Sequence, residues 1–198
     1  MKRFFLFFFV SCLLFLGCGK DDKDSNSTTS SFTYKSNTYS LAKGFSIGWG
    51  ESNTTNVYTR ELYLVSSGIS CTSSSSDYVI SGKGNSLYFN LYSSSETGIA
   101  AGTYSYSESA SNPIVNTFDF GEVDLDSDWD AETTGEWAEI TEGTLTIEKS
   151  GTTYVLNFDG YDSNSNRVTV SYTGTLSNYN MSNNKKTPLN LKKLIHRK

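Results

Sequence analysis

Residues 143–160 read Gly-Thr-Leu-Thr-Ile-Glu-Lys-Ser-Gly-Thr-Thr-Tyr-Val-Leu-Asn-Phe-Asp-Gly, and residues 168–176 read Val-Thr-Val-Ser-Tyr-Thr-Gly-Thr-Leu. Leu145 and Ile147 alternate with Thr144, Thr146 and Glu148, and Tyr154, Leu156 and Phe158 repeat the pattern. Val168, Val170 and Tyr172 then oppose Thr169, Ser171 and Thr173. A period of two sends one set of side chains to each face of a pleated strand, so each run predicts a strand with one buried face. Lys149-Ser150-Gly151 and Asp162-Ser163-Asn164-Ser165-Asn166 are turn-forming breaks between them. Three strands with short connections predict an antiparallel meander.

The same period extends upstream. Phe32–Tyr34 and Tyr39–Leu41 flank a Lys35-Ser36-Asn37 turn, and Val57–Val65, Leu87–Tyr92, Thr103–Tyr106 and Phe118–Leu125 supply further strands, about nine in all. Within the last, Phe118 and Phe120 have one parity and Val123 and Leu125 the other, and a bulge at Gly121 would return all four to one face. No helical stripe of comparable length occurs. Aromatic residues make up 14% of the chain and there are only 2 prolines, a composition suited to pleated, half-buried surfaces. The expected fold is all-β: an antiparallel up-and-down β-barrel or, failing closure, a two-sheet β-sandwich.

The 143–160 and 168–176 stretches resemble the closing strands of small Bacteroidetes lipoprotein domains, some of which are calycin-like, that is, lipocalin-type β-barrels. The resemblance implies a lineage and a barrel, and carries over no catalytic motif.

The amino terminus divides the chain. Met1-Lys2-Arg3 precedes an apolar run from Phe4 to Leu16, too short for the ~20 residues a membrane helix needs but right for the core of a secretory signal. Leu14-Phe15-Leu16-Gly17-Cys18 resembles a lipobox, which implies cleavage before Cys18 and acylation of that cysteine. Lys20-Asp21-Asp22 looks like the short charged signal that sends Bacteroidetes lipoproteins to the cell surface. The division expected is 1–17 signal peptide, 18–31 lipidated cysteine and polar tether, 32–180 β domain and 181–198 basic tail. For that tail, disorder or a short helix over Leu189–Ile195 are the alternatives.

Charge is uneven. Residues 31–180 hold 18 Asp and Glu against 6 Lys and Arg, whereas the tail carries Lys185, Lys186, Lys192, Lys193, Arg197 and Lys198 with no acid. An acidic body repels phosphate backbones, so nucleic acid is not an expected partner. The sole histidine, His196, stands near the end of the chain, which removes His-based triads and zinc sites from the domain. Cys71, beside a serine run, has no histidine to activate it. Asp124, Asp126, Asp128 and Asp130 alternate like the first ligands of a calcium loop, but Trp129 stands where the sharp turn wants glycine and Gly135 where the bidentate acid belongs. On a straight strand such carboxylates lie ~6.6 Å apart along the chain, so only a curled loop would hold calcium. Otherwise the segment is a solvated acidic strand end or loop. Trp49, Trp129 and Trp137 are candidate sugar-stacking residues.

These features together predict a lipid-anchored outer-membrane module, surface exposed, that binds a glycan or small apolar ligand without catalysis. A structural or adhesive role among envelope proteins is the second class, and a carboxylate-pair glycoside hydrolase the enzymatic alternative. An open interior would favour the ligand binder, and a packed interior with an exposed apolar patch the adhesive module.

Overall fold

The computed structural model describes residues 29–73, 77–108 and 111–181, and every regular element among them is a strand. There are eleven: β1 (Ser31–Tyr34), β2 (Asn37–Ser40), β3 (Lys43–Glu51), β4 (Tyr58–Val65), β5 (Ile69–Ser73), β6 (Tyr78–Ser93), β7 (Gly102–Tyr106), β8 (Thr117–Asp128), β9 (Glu136–Ser150), β10 (Thr153–Asp162) and β11 (Arg167–Asn180). Cys18, Lys20, Asp21, Asp22, His196 and the 182–198 tail lie outside the described residues.

Strands β3, β4, β6, β8, β9, β10 and β11 form a meander in which each is antiparallel to the next. A meander with an odd number of staves begins and ends in the same direction, so its closure has to be parallel. Leu176–Asn180 of β11 accordingly pairs in parallel with Gly44–Gly48 of β3. The eighth stave is β7, wedged where β8 and β9 diverge, antiparallel to β9 and parallel to β8. The result is a closed eight-stranded barrel rather than a sandwich, with two parallel seams in an otherwise antiparallel wall.

The deciding stretch folds as its alternation dictates. Leu145, Ile147, Tyr154, Leu156, Phe158, Val168, Val170 and Tyr172 all join one buried cluster. Gly143 faces Gly160 across β9 and β10. A Cβ on either glycine would come within 2.6 Å or less of the Phe158 ring, so the two glycines make room for it. The Asp162–Asn166 turn is organised by the buried Asp162 carboxylate, which accepts the Asn164 and Asn166 backbone N–H groups at 2.8 and 2.7 Å, Asn166 Nδ2 at 2.8 Å and the Tyr34 hydroxyl at 2.8 Å. At the β1–β2 turn, Lys35 and Ser36 have φ of 48° and 65°, the left-handed pair that suits a tight hairpin.

The barrel interior is filled. Leu62, Leu64, Leu87, Phe89, Leu91, Tyr104, Phe118, Ile140, Leu145, Leu156 and Val168 all have 0% of their surface exposed. Phe89 packs against Phe118 and Phe158 at ring separations of 5.6 and 5.1 Å. An eight-stranded barrel is just wide enough for side chains to fill it, and this one is filled with large ones.

Two sequence expectations need correction. The bulge in β8 lies between Phe118 and Phe120, opposite Asn90/Leu91, rather than at Gly121. Phe118 therefore points inward with Val123 and Leu125, while Phe120 joins the outer cluster. The strand count rises from nine because β3 and β5 escaped the alternation test. In β3 every residue from Gly44 to Gly48 is buried, so no polar face marks it.

Candidate functional site

β5 and the first residues of β6 leave the barrel wall as a hairpin arm, Ile69 pairing with Gly82 and Ser73 with Tyr78. Gly82, at φ 95°, sits where a Cβ would meet the Gly68 carbonyl oxygen at 2.1 Å, so the bend requires glycine. Ile69 and Tyr78 of the arm pack on the outward side chains Phe45, Ile47, Tyr63, Val65 and Tyr88. This is a second core on the outside of the barrel, and it contains acids.

The Glu61 carboxylate, 0% exposed, accepts the hydroxyls of Tyr78 at 3.1 Å, Tyr63 at 3.3 Å and Tyr88 at 3.4 Å. Burial pushes its pKa up to about 7, against the pull of those hydroxyls and of Trp49. Burial and the Glu61 charge raise the Tyr63 and Tyr88 phenols well above their ordinary range, and Glu122 adds to both. Glu122, also buried, accepts Trp137 Nε1 at 2.8 Å. Two residues on, Asp124 is 0% exposed, and burial and then the neighbouring Glu122 hold its carboxyl well above the usual range, with the Ser86 hydroxyl opposing.

The three tryptophans belong to this outer face. Trp49 meets Tyr78 edge-on at 5.9 Å and Trp129 meets Tyr63 at 6.3 Å, while Trp137 reaches the same region through Glu122. They are half-buried wall, not a free-standing platform.

The alternate aspartates do not converge. Asp124 is buried on the outer face of β8, whereas Asp126 is exposed at φ 52°. Asp128 pairs with Lys83 at 2.6 Å and accepts the Asp130 and Ala131 N–H groups, while Asp130 accepts Gly82 N–H at 3.2 Å. Lys83 lies opposite Asp128 across β6 and β8, so the cation that pairs with this acidic run comes from across the sheet. Among the described residues no three acids, cysteines or histidines are grouped to hold a metal ion. The expectation of a solvated acidic segment fails at Asp124, which is enclosed.

An open groove of about 380 Å³ borders this outer core. It exists because β11 changes partner: β1 pairs with it through Ser171, and β3 only from Leu176. Lys43, Phe45, Tyr172, Thr173, Thr175 and Tyr179 line the gap. Its walls are fixed by hydrogen bonds from Tyr179 to the Cys71 carbonyl at 3.0 Å, Tyr172 to the Thr175 carbonyl at 2.8 Å and Lys43 to the Ile69 carbonyl at 2.8 Å. Cys71 itself is inert: burial pushes its thiol up to about 11, the reverse of nucleophile activation.

Sequence reasoning missed Glu61, Glu122 and the groove. The one available signal was Arg60-Glu61 directly before the apolar run Leu62–Val65, two charges where a strand should be buried. The chain matches no protein-family model, no curated protein and no solved structure.

Proposed function

We propose that this chain is a lipid-anchored cell-envelope module that binds a glycan on the outside of its barrel and performs no chemistry on it. The observation that carries this reading is the open groove of about 380 Å³ on the outside of the barrel; the filled interior leaves the small-apolar-ligand alternative without a chamber. Recognition then falls to the surface. The groove at the β1–β11–β3 junction offers what a sugar needs: the exposed hydroxyls of Thr173 and Thr175, the Lys43 ammonium, and tyrosine rings at its walls. The adhesive alternative calls for a contiguous apolar patch, whereas among the described residues the large exposed hydrophobics Val79, Ile114 and Tyr161 sit on three separate segments. A glycosidase needs two carboxylates facing an accessible sugar, and Glu61, Glu122 and Asp124 are enclosed. Anchoring and surface display rest on Cys18 and on Lys20, Asp21 and Asp22.

Glycan-array screening of the full-length protein tests the reading. A defined oligosaccharide class should bind, and both Thr175→Arg and Tyr179→Ala should abolish that binding while leaving the fold intact. Binding that survives both substitutions, or stoichiometric uptake of an apolar probe with no glycan bound, would overturn it.

A further inference from the structure

Arg60 points into the barrel. It shares the parity of Leu62 and Leu64 on β4, lies opposite Gly48 of β3 and is 2% exposed. A Cβ at Gly48 would stand 2.0 Å from Arg60 Nη1, so the guanidinium lies directly against the β3 backbone in the space a side chain at that position would take. The group has five N–H donors. It makes one long bond, from Nη2 to the Ser95 carbonyl at 3.4 Å, and its buried Nε has no partner. Among the described residues no carboxylate comes within ion-pair distance of it: the three ion pairs are Lys35–Glu136, Lys83–Asp128 and Arg167–Asp159. Glu96 is the acid whose charge favours the guanidinium, and it is exposed.

A buried charge is costly unless it is paired, and a methionine or leucine would fill the same space without that cost. A second unsatisfied group lies under the same stretch of chain. The Tyr154 hydroxyl is buried without a partner and close enough to Arg60 to act on it electrostatically. It lies 3.6 Å from the point where Gly98 would carry a Cβ, so both groups gather beneath the 94–101 segment that covers this end of the barrel. The cover is fastened at its base. Ser93 Oγ accepts the N–H groups of both Ser95 and Ala100, at 3.2 and 3.0 Å, and Tyr104 donates to the Ala100 carbonyl at 2.9 Å. Tyr104 and Ser93 are thus satisfied, and Arg60 and Tyr154 are the donors left over.

We infer that the barrel end beneath the 94–101 segment is a binding site for a compact oxyanion, gripped by Arg60 and capped by the Tyr154 hydroxyl. The guanidinium edge presents parallel N–H groups that match two oxygens of a carboxylate, phosphate or sulfate, and the phenol supplies one donor more. None of these residues lines the groove, so the site stands or falls independently of glycan binding there.

The test uses the detergent-solubilised full-length protein with acetate, phosphate or sulfate, each against chloride at equal ionic strength. Saturable binding by titration calorimetry, with a matching rise in the unfolding midpoint, is expected for at least one of them. Preference for acetate identifies a carboxylate-bearing ligand, and preference for phosphate or sulfate an ester of those acids. Arg60→Met should abolish saturable binding and, in chloride, melt no lower than wild type. Tyr154→Phe should weaken binding by roughly tenfold, the worth of one hydrogen bond. If Arg60→Met does not fold, Tyr154→Phe and Arg60→Lys decide the matter. Absence of saturable binding by all three anions, or affinity unchanged by the substitutions, would overturn the site.

Discussion

Arg60 and Glu61, consecutive on β4, are buried on opposite faces of the barrel wall, and neither neutralises the other. Alternation along a strand separates them: the guanidinium joins the interior with Tyr104 and Tyr154, and the carboxylate joins the outer core with Tyr63, Tyr78 and Tyr88. Each charge is enclosed with hydroxyl groups instead of an opposite charge, and that leaves each open to titration or to a ligand.

Glu61 should make stability depend on pH. Its carboxyl titrates at about 7 in the folded protein against an ordinary value of 4.5. Below the lower value it is protonated in both states and costs nothing. Between the two, the folded state holds a proton that the unfolded state has released, so stability falls as pH rises, and above the upper value the loss is complete. The gap corresponds to roughly 3 kcal/mol. Urea unfolding at about pH 5 and about pH 8 should show wild type losing stability while Glu61→Gln stays flatter. Equal pH slopes in the two proteins would contradict this.

Phe89 should behave as a plug. Its ring is 0% exposed between Phe118 and Phe158, and Phe89→Ala should cost about 3–5 kcal/mol. The hole it leaves is lined by apolar groups, so the variant should regain stability on adding benzene or indole. Wild type should show no such response in the same thermal scan.

Calcium should do no more than sodium. Asp128 is held by Lys83, and that ammonium keeps its carboxyl below the usual range, while Asp124 faces a different environment from Asp126 and Asp130. Unfolding midpoints in millimolar calcium and in ionic-strength-matched sodium should coincide. A rise of several degrees in calcium, removed by Asp126→Asn with Asp128→Asn, would reveal a site formed by rearrangement.

Lipidation should depend on Cys18 alone. Cys18→Ser should lose label from a fatty-acid analogue and leave the membrane fraction. Alanine at Lys20, Asp21 and Asp22 should keep the label but shield the domain from protease added to whole cells.

How much of this was legible follows from which faces are buried. The β9–β10–β11 meander could be read because each strand has one buried and one polar face, and both of its turns carry their own turn chemistry. The β3 strand could not, because the arm covers its outer face and the barrel its inner one, leaving Gly44–Gly48 without a polar side. The outer core was hidden for a related reason. Tyr88, Asn90 and Tyr92 alternate with the inward Leu87, Phe89 and Leu91, and nothing in that alternation shows that Tyr88 is enclosed beneath an arm made of serine-rich sequence that carries little strand signal. Asp124 illustrates the same limit: a charge in a strand reads as exposed, and only the tertiary fold reveals that it is not.

The parallel closure of an odd meander has a kinetic consequence. Every other seam of the main barrel joins strands close in the chain, but Gly44 meets Leu176 only after the whole intervening chain has been laid down. Sealing the barrel is therefore, with the docking of β1 on β11, one of the two steps of greatest sequence separation, the kind that slows folding. Until it happens, β3 and β11 both present unpaired edges, and β1 covers only the Val168–Ser171 part of one of them. An unsealed barrel of this kind can add a strand from a second copy, so the hazard during folding is greatest just before the last stave docks.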